Sequence, residues 1–167
     1  MTRLTLATAI CLLPITVSAE TQLERFEALS DKMNVVMIDM MANEIEQQGG
    51  DATALRALDG MVPPWTDEIR AAAGCILDTY IDETSASDVD DMLTEMDAML
   101  PTLSSMTMTE ATDNGVFDAM TPDGITDERM LEINGACGMM ELQIEASKNS
   151  GFMEAMMAAG STVPDNN

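Results

Sequence analysis

Apolar residues recur at helical spacing along almost the whole chain, and no convincing run alternates apolar with polar residues. Leu23, Phe26, Leu29, Met33, Val36, Met37, Met40, Met41 and Ile45 form one broad stripe on a helix. This spacing predicts a helix from about Thr21 to Gln48, stopped by Gly49-Gly50. β-branched residues are scattered, so strands have no segment to occupy.

The same reasoning continues along the chain. A short helix is expected over 52–59, followed by a rigid connector through Pro63 and Pro64. Thr66 is a good N-cap for the next helix, with Asp67 and Glu68 suited to its first turn. That helix carries Ile69, Ala73, Cys75, Ile76 and Tyr80 to about Asp82. Ser87 is the expected cap of another, with Val89, Met92, Leu93, Met96, Met99 and Leu100 on its apolar face. Pro101 is expected to end or kink it. Residues 101–124 are rich in turn formers and read as loops, with one short helical piece over Val116 to Met120. Thr126 then caps a long helix from Asp127 to about Asn149, and a last short helix covers Phe152 to Ala159.

The N-terminus reads as a secretory leader. Arg3 precedes a mostly apolar run from Leu4 to Val17, and Val17-Ser18-Ala19 has the small-x-small form of a cleavage site. The apolar run is shorter than a membrane-spanning helix requires. The expected organisation is a cleaved leader over 1–19, one helical domain over 20–159 and a flexible tail over 160–167. Export places the protein in the periplasm or outside the cell, with no membrane insertion after cleavage. Cys11 leaves with the leader, and Cys75 and Cys137 remain as the single possible pair. Each lies among small residues, Ala71-Ala72-Ala73-Gly74 and Gly135-Ala136, which let two helix backbones approach closely. A structural disulfide is therefore expected between them.

Charge excludes several partners. The whole chain carries a formal charge of −23, and without Arg3 six basic residues face 30 acidic ones. Such a chain repels nucleic acid and anionic lipid surfaces. It suits an unidentified protein partner, a basic one being the electrostatic match.

Catalytic candidates are absent from the sequence. The chain has no histidine, which removes histidine-based triads and the usual histidine-containing metal motifs. No nucleophile elbow or phosphate-cradling glycine loop occurs. No cofactor is implied. Asp82, Glu83, Asp88, Asp90 and Asp91 crowd one stretch, but no EF-hand register fits around Asp123-Gly124.

Methionine is the compositional oddity, at 18 residues. Thioether sulfur is a soft ligand suited to Cu(I). Met33, Met37, Met40, Met92, Met96 and Met99 lie on apolar stripes and read as core. Met106, Met108, Met153, Met156 and Met157 fall where helical order is expected to be weakest, and are the soft-metal candidates. Trp65 has two readings, a core plug under the connector or the wall of a groove.

The sequence thus predicts an all-α, irregular four-to-six-helix bundle with one inter-helix disulfide and no catalytic site. Its expected role is non-enzymatic binding or accessory work outside the cytoplasm. The alternative is a methionine-rich copper(I)-binding protein.

Overall fold

The structure, a computed structural model, describes residues 21–58 and 64–160. The expected leader, most of the proline connector and residues 161–167 of the expected tail lie outside the described residues. Among the described residues there are eight α-helices, one 3₁₀ helix and no strand.

The helices are α1 (Gln22–Gln47), α2 (Thr53–Arg56), α3 (Asp67–Glu83), α4 (Ala86–Leu103), α5 (Met108–Asp113), α6 (Asp127–Ala136), α7 (Met139–Asn149) and α8 (Phe152–Gly160). Capping chemistry explains their starts. Thr21 and Glu24 form a reciprocal capping box on α1, and Thr66 and Thr126 accept from the third backbone N–H of α3 and α6.

Side-chain pairing fixes helix directions. Gln22, Arg25 and Lys32 of α1 reach Ala86, Asp90 and Asp97 of α4, so α1 and α4 advance together and run parallel. Glu27 and Asp31 of α1 meet Arg70 and Trp65, so α3 runs antiparallel to α1. Arg129 meets Glu83 and Cys137 meets Cys75, so α6 runs antiparallel to α3. Leu29, Met33, Val36 and Met40 of α1 pack with Ile76, Leu77 and Tyr80 of α3 and with Val89, Met92, Leu93 and Met96 of α4. A second, smaller cluster joins Ala42 and Ile45 to Leu55, Ala155 and Ala159, seating α8 beside α2 and the end of α1. No described helix is long and apolar enough to cross a membrane.

Four expectations need correction. The α4 cap is Ser85, whose hydroxyl accepts from Asp88 N at 3.2 Å, while Ser87 lies inside the first turn. Of the two outcomes expected of Pro101, an end and a kink, the end does not occur, because α4 continues to Leu103. The Pro101 ring removes one backbone donor, but burial of Leu100 and Leu103 holds the last turn in place.

Residues 101–124 are more ordered than a loop. Thr107 and Glu110 form a second capping box, so Thr107-Met108-Thr109 is a helix start. Glu44 of α1 accepts from Thr109 N at 3.0 Å and from its hydroxyl at 2.8 Å, tying α5 down. Finally, the long helix expected over Asp127 to Asn149 is two helices. Gly138 adopts φ 76°, a left-handed conformation that glycine enters without steric cost, and α7 starts afresh after it.

Candidate functional site

The break at Gly138 turns α6 and α7 into a wall that faces α1 and α3 across an open groove of about 530 Å³. The disulfide between Cys75 and Cys137 holds the junction of that wall to α3, with Cα atoms 5.8 Å apart. Arg129 reinforces the attachment by donating to both carboxylate oxygens of Glu83. This contact holds the Glu83 carboxyl below its ordinary range, chiefly through the hydrogen bonds from the guanidinium.

The groove is built mostly from one face of α1. Phe26, Ser30, Met33, Met37 and Met41 follow one another at three- and four-residue steps, with Asn34 and Ile38 beside them. Ile69, Ile76 and Tyr80 come from α3, and Met130 and Asn134 from α6. Met139, Gln143, Ala146 and Ser147 come from α7, and Ser150 and Phe152 close the α8 side. Met96, Met120, Leu58 and Trp65 complete the lining.

This surface is sorted by chemistry. The chain has five aromatic residues, and four of them, Phe26, Trp65, Tyr80 and Phe152, line this one groove. Seven methionines line it as well. In a chain with 22% charged residues, none of the lining residues is charged at neutral pH. Burial pushes the Tyr80 phenol up from its usual value, which keeps it neutral. Asn34, Asn134, Gln143 and three serines supply the polar groups. A concave, mainly apolar surface of this size with a few amides and hydroxyls is the usual form of a ligand site. No nucleophile in it is placed beside a general base.

Trp65 sits half-buried at the groove edge and packs edge-on against Phe26, with ring centroids 6.2 Å apart and planes at 90°. Its indole N–H donates to Asp31 Oδ1 at 2.9 Å. Trp65 packs against the main core and also borders the groove, so its position fits both readings.

The soft-metal candidates are not gathered in the groove. Met106 and Met108 pack partly buried against the main core, held by Asn43, whose side-chain N–H donates to the Met106 carbonyl at 3.1 Å. Met156 packs against the smaller cluster, and Met153 and Met157 are exposed on α8. The stripe methionines follow the core expectation more closely. Met33, Met40, Met92 and Met96 are buried, while Met37 and Met99 are partly buried. Met33, Met37 and Met96 also border the groove, a role the stripe pattern does not reveal.

Three of the five crowded acids of α3 and α4 are engaged individually. Glu83 pairs with Arg129, Asp88 accepts from the Ser85 hydroxyl and Asp90 pairs with Arg25. Among the described residues no group of three or more histidine, cysteine or acidic side chains is arranged to hold a metal ion. Comparison with protein-family models, curated proteins and solved structures finds no match for this chain.

Proposed function

We propose that this protein is an exported, non-enzymatic binding protein whose methionine- and aromatic-lined groove takes up an apolar guest. The observation that carries the reading is the sorting of the wall: four of five aromatics and seven methionines, with no charged side chain among the lining residues. Methionine suits such a surface because its unbranched thioether chain adapts to guests of different shape. The leader-like N-terminus supports export, and so does the disulfide, which persists in an oxidising compartment. The acidic outer surface is free to meet a basic protein partner at the same time.

Trp65 is the sole tryptophan and lines the groove, so its fluorescence reads occupancy directly. Octanol, an uncharged apolar probe, is expected to shift Trp65 emission saturably at one equivalent. Ile69→Asp, which places a charge in the wall, is expected to abolish the response while the helical circular dichroism is retained. Non-saturable partitioning, or an unaltered response in Ile69→Asp, defeats the reading.

The second reading is copper(I) binding. It draws on the seven thioethers of the groove rather than on the five candidates outside it. Cu(I) titration against a competing chelator separates the two. The apolar-guest reading expects no tight stoichiometric site, and one tight equivalent lost on Met37→Leu with Met41→Leu favours copper.

A further inference from the structure

The groove has a chemically distinct end. Phe26 and Trp65 meet there at right angles, forming an aromatic corner. The Asp31 carboxylate stands at the edge of that corner, fixed through Oδ1 to the Trp65 indole N–H. Among the described residues no cation pairs with Asp31, and Oδ2 makes no hydrogen bond. Five of the six basic residues among the described ones are committed elsewhere. Arg25, Lys32, Arg56, Arg70 and Arg129 each pair with other carboxylates, and Lys148 is exposed and forms no part of the wall.

We infer that the groove binds a small cationic amphiphile, its ammonium head held at the Phe26–Trp65–Asp31 corner and its apolar body along the methionines. This rests on the proposed binding role of the groove. Three features argue for that guest. Ammonium groups are attracted to aromatic faces, most strongly to tryptophan, and quaternary ammonium heads are recognised by aromatic corners and cages. A partly buried carboxylate with one free oxygen supplies the counter-charge. The field of a chain with formal charge −23 concentrates cations at the mouth of a low-dielectric cleft and turns anions away. A fatty carboxylate or alkyl sulfate finds no cation in the wall.

The test compares three probes of one chain length by Trp65 fluorescence at fixed ionic strength: octyltrimethylammonium, octanol and octyl sulfate. The expected order of affinity is ammonium, then alcohol, then sulfate, with the ammonium ahead of the alcohol by about three- to tenfold. Asp31→Asn keeps an oxygen acceptor for the indole and is expected to remove most of that preference, read as the ratio of ammonium to octanol affinity within the same variant. Asp91→Asn makes the same change of net charge at an exposed α4 position outside the wall and is expected to keep the preference. Phe26→Leu, followed by titration calorimetry, is expected to lower ammonium affinity selectively.

Octanol binding without an ammonium preference overturns the head-group assignment and leaves the groove reading intact. Equal losses in Asp31→Asn and Asp91→Asn overturn it too, because bulk charge then accounts for the preference. Should Asp31→Asn fail to fold, Phe26→Leu decides: an unchanged preference overturns the proposal. Binding of none of the probes overturns both readings.

Discussion

Asp31 and Trp65, 34 positions apart in sequence, are joined by a hydrogen bond of 2.9 Å from the indole N–H to a carboxylate oxygen. The bond ties the segment leading into α3 to the middle of α1, at the edge of the groove. It orients the largest aromatic ring in the protein, and it leaves the second carboxylate oxygen available.

Asp31→Ala removes that acceptor and leaves a partly buried indole N–H unpaired. The expected cost is about 1 kcal/mol, at the low end for an orphaned donor because Trp65 is only half-buried. Urea denaturation measures it. The Trp65 emission of the folded variant is expected to broaden as the ring loses its fixed orientation.

Replacing Cys75 and Cys137 by serine opens a loop closed across 62 positions. Loop-closure entropy sets the expected loss of stability at about 4 kcal/mol. The α6–α7 wall is attached to α3 through this bond, so octanol affinity is expected to fall in the folded variant as well. Thiol counting on the denatured, unreduced protein is expected to find neither cysteine free.

Burial decides which methionines hold the fold. Met40 is 0% exposed and Met157 is 65% exposed. Met40→Ala is expected to cost about 2–5 kcal/mol through lost burial and the cavity it leaves. Met157→Ala is expected to change stability by less than about 0.5 kcal/mol. Chemical denaturation of the two variants side by side checks the contrast.

The Glu83–Arg129 pair carries a pH signature. The folded-state carboxyl is depressed below its ordinary value of 4.5, so the pair's contribution is present above that value and lost as pH falls through the depressed one. Glu83→Gln lacks this titration. The stability difference between the protein and Glu83→Gln is therefore expected to be constant near neutrality and to shrink below pH 4.5. Taking the difference cancels the general relief of acid–acid repulsion that both proteins share. A gap that stays constant into strong acid contradicts the assigned role of the pair.

Local rules recovered much of the architecture. The α1 stripe and the caps at Thr66 and Thr126 follow from side-chain periodicity and side-chain oxygens, both of which act over a few residues. Where two local signals competed, the reading failed. Thr107 is both a β-branched residue in an alternating triplet and an N-cap whose hydroxyl accepts from Glu110 N, and packing of α5 on α1 chose the cap. Met130, Ile133 and Met140 keep helical spacing across Gly138, so spacing alone predicts one helix, yet the chain breaks there.

The candidate site was the least legible part. Phe26, Met37 and Met41 belong to the same stripe as Leu29, Val36 and Met40, and hydrophobic spacing cannot tell a face that is covered from one that is left open. Asp31 carries no local mark that separates it from the other acids.

Two properties were settled along the chain itself: an all-α fold, because apolar spacing selects helices locally, and one possible cystine among the described residues, because Cys75 and Cys137 are the cysteines they contain. The groove was settled only in three dimensions. It exists because α6 and α7 bend at Gly138, are pinned to α3 at Cys137, and stand off the apolar face of α1 instead of covering it. Which part of a broad apolar stripe becomes core and which becomes a binding wall depends on where distant helices come to rest, and that is set by the sum of all their contacts.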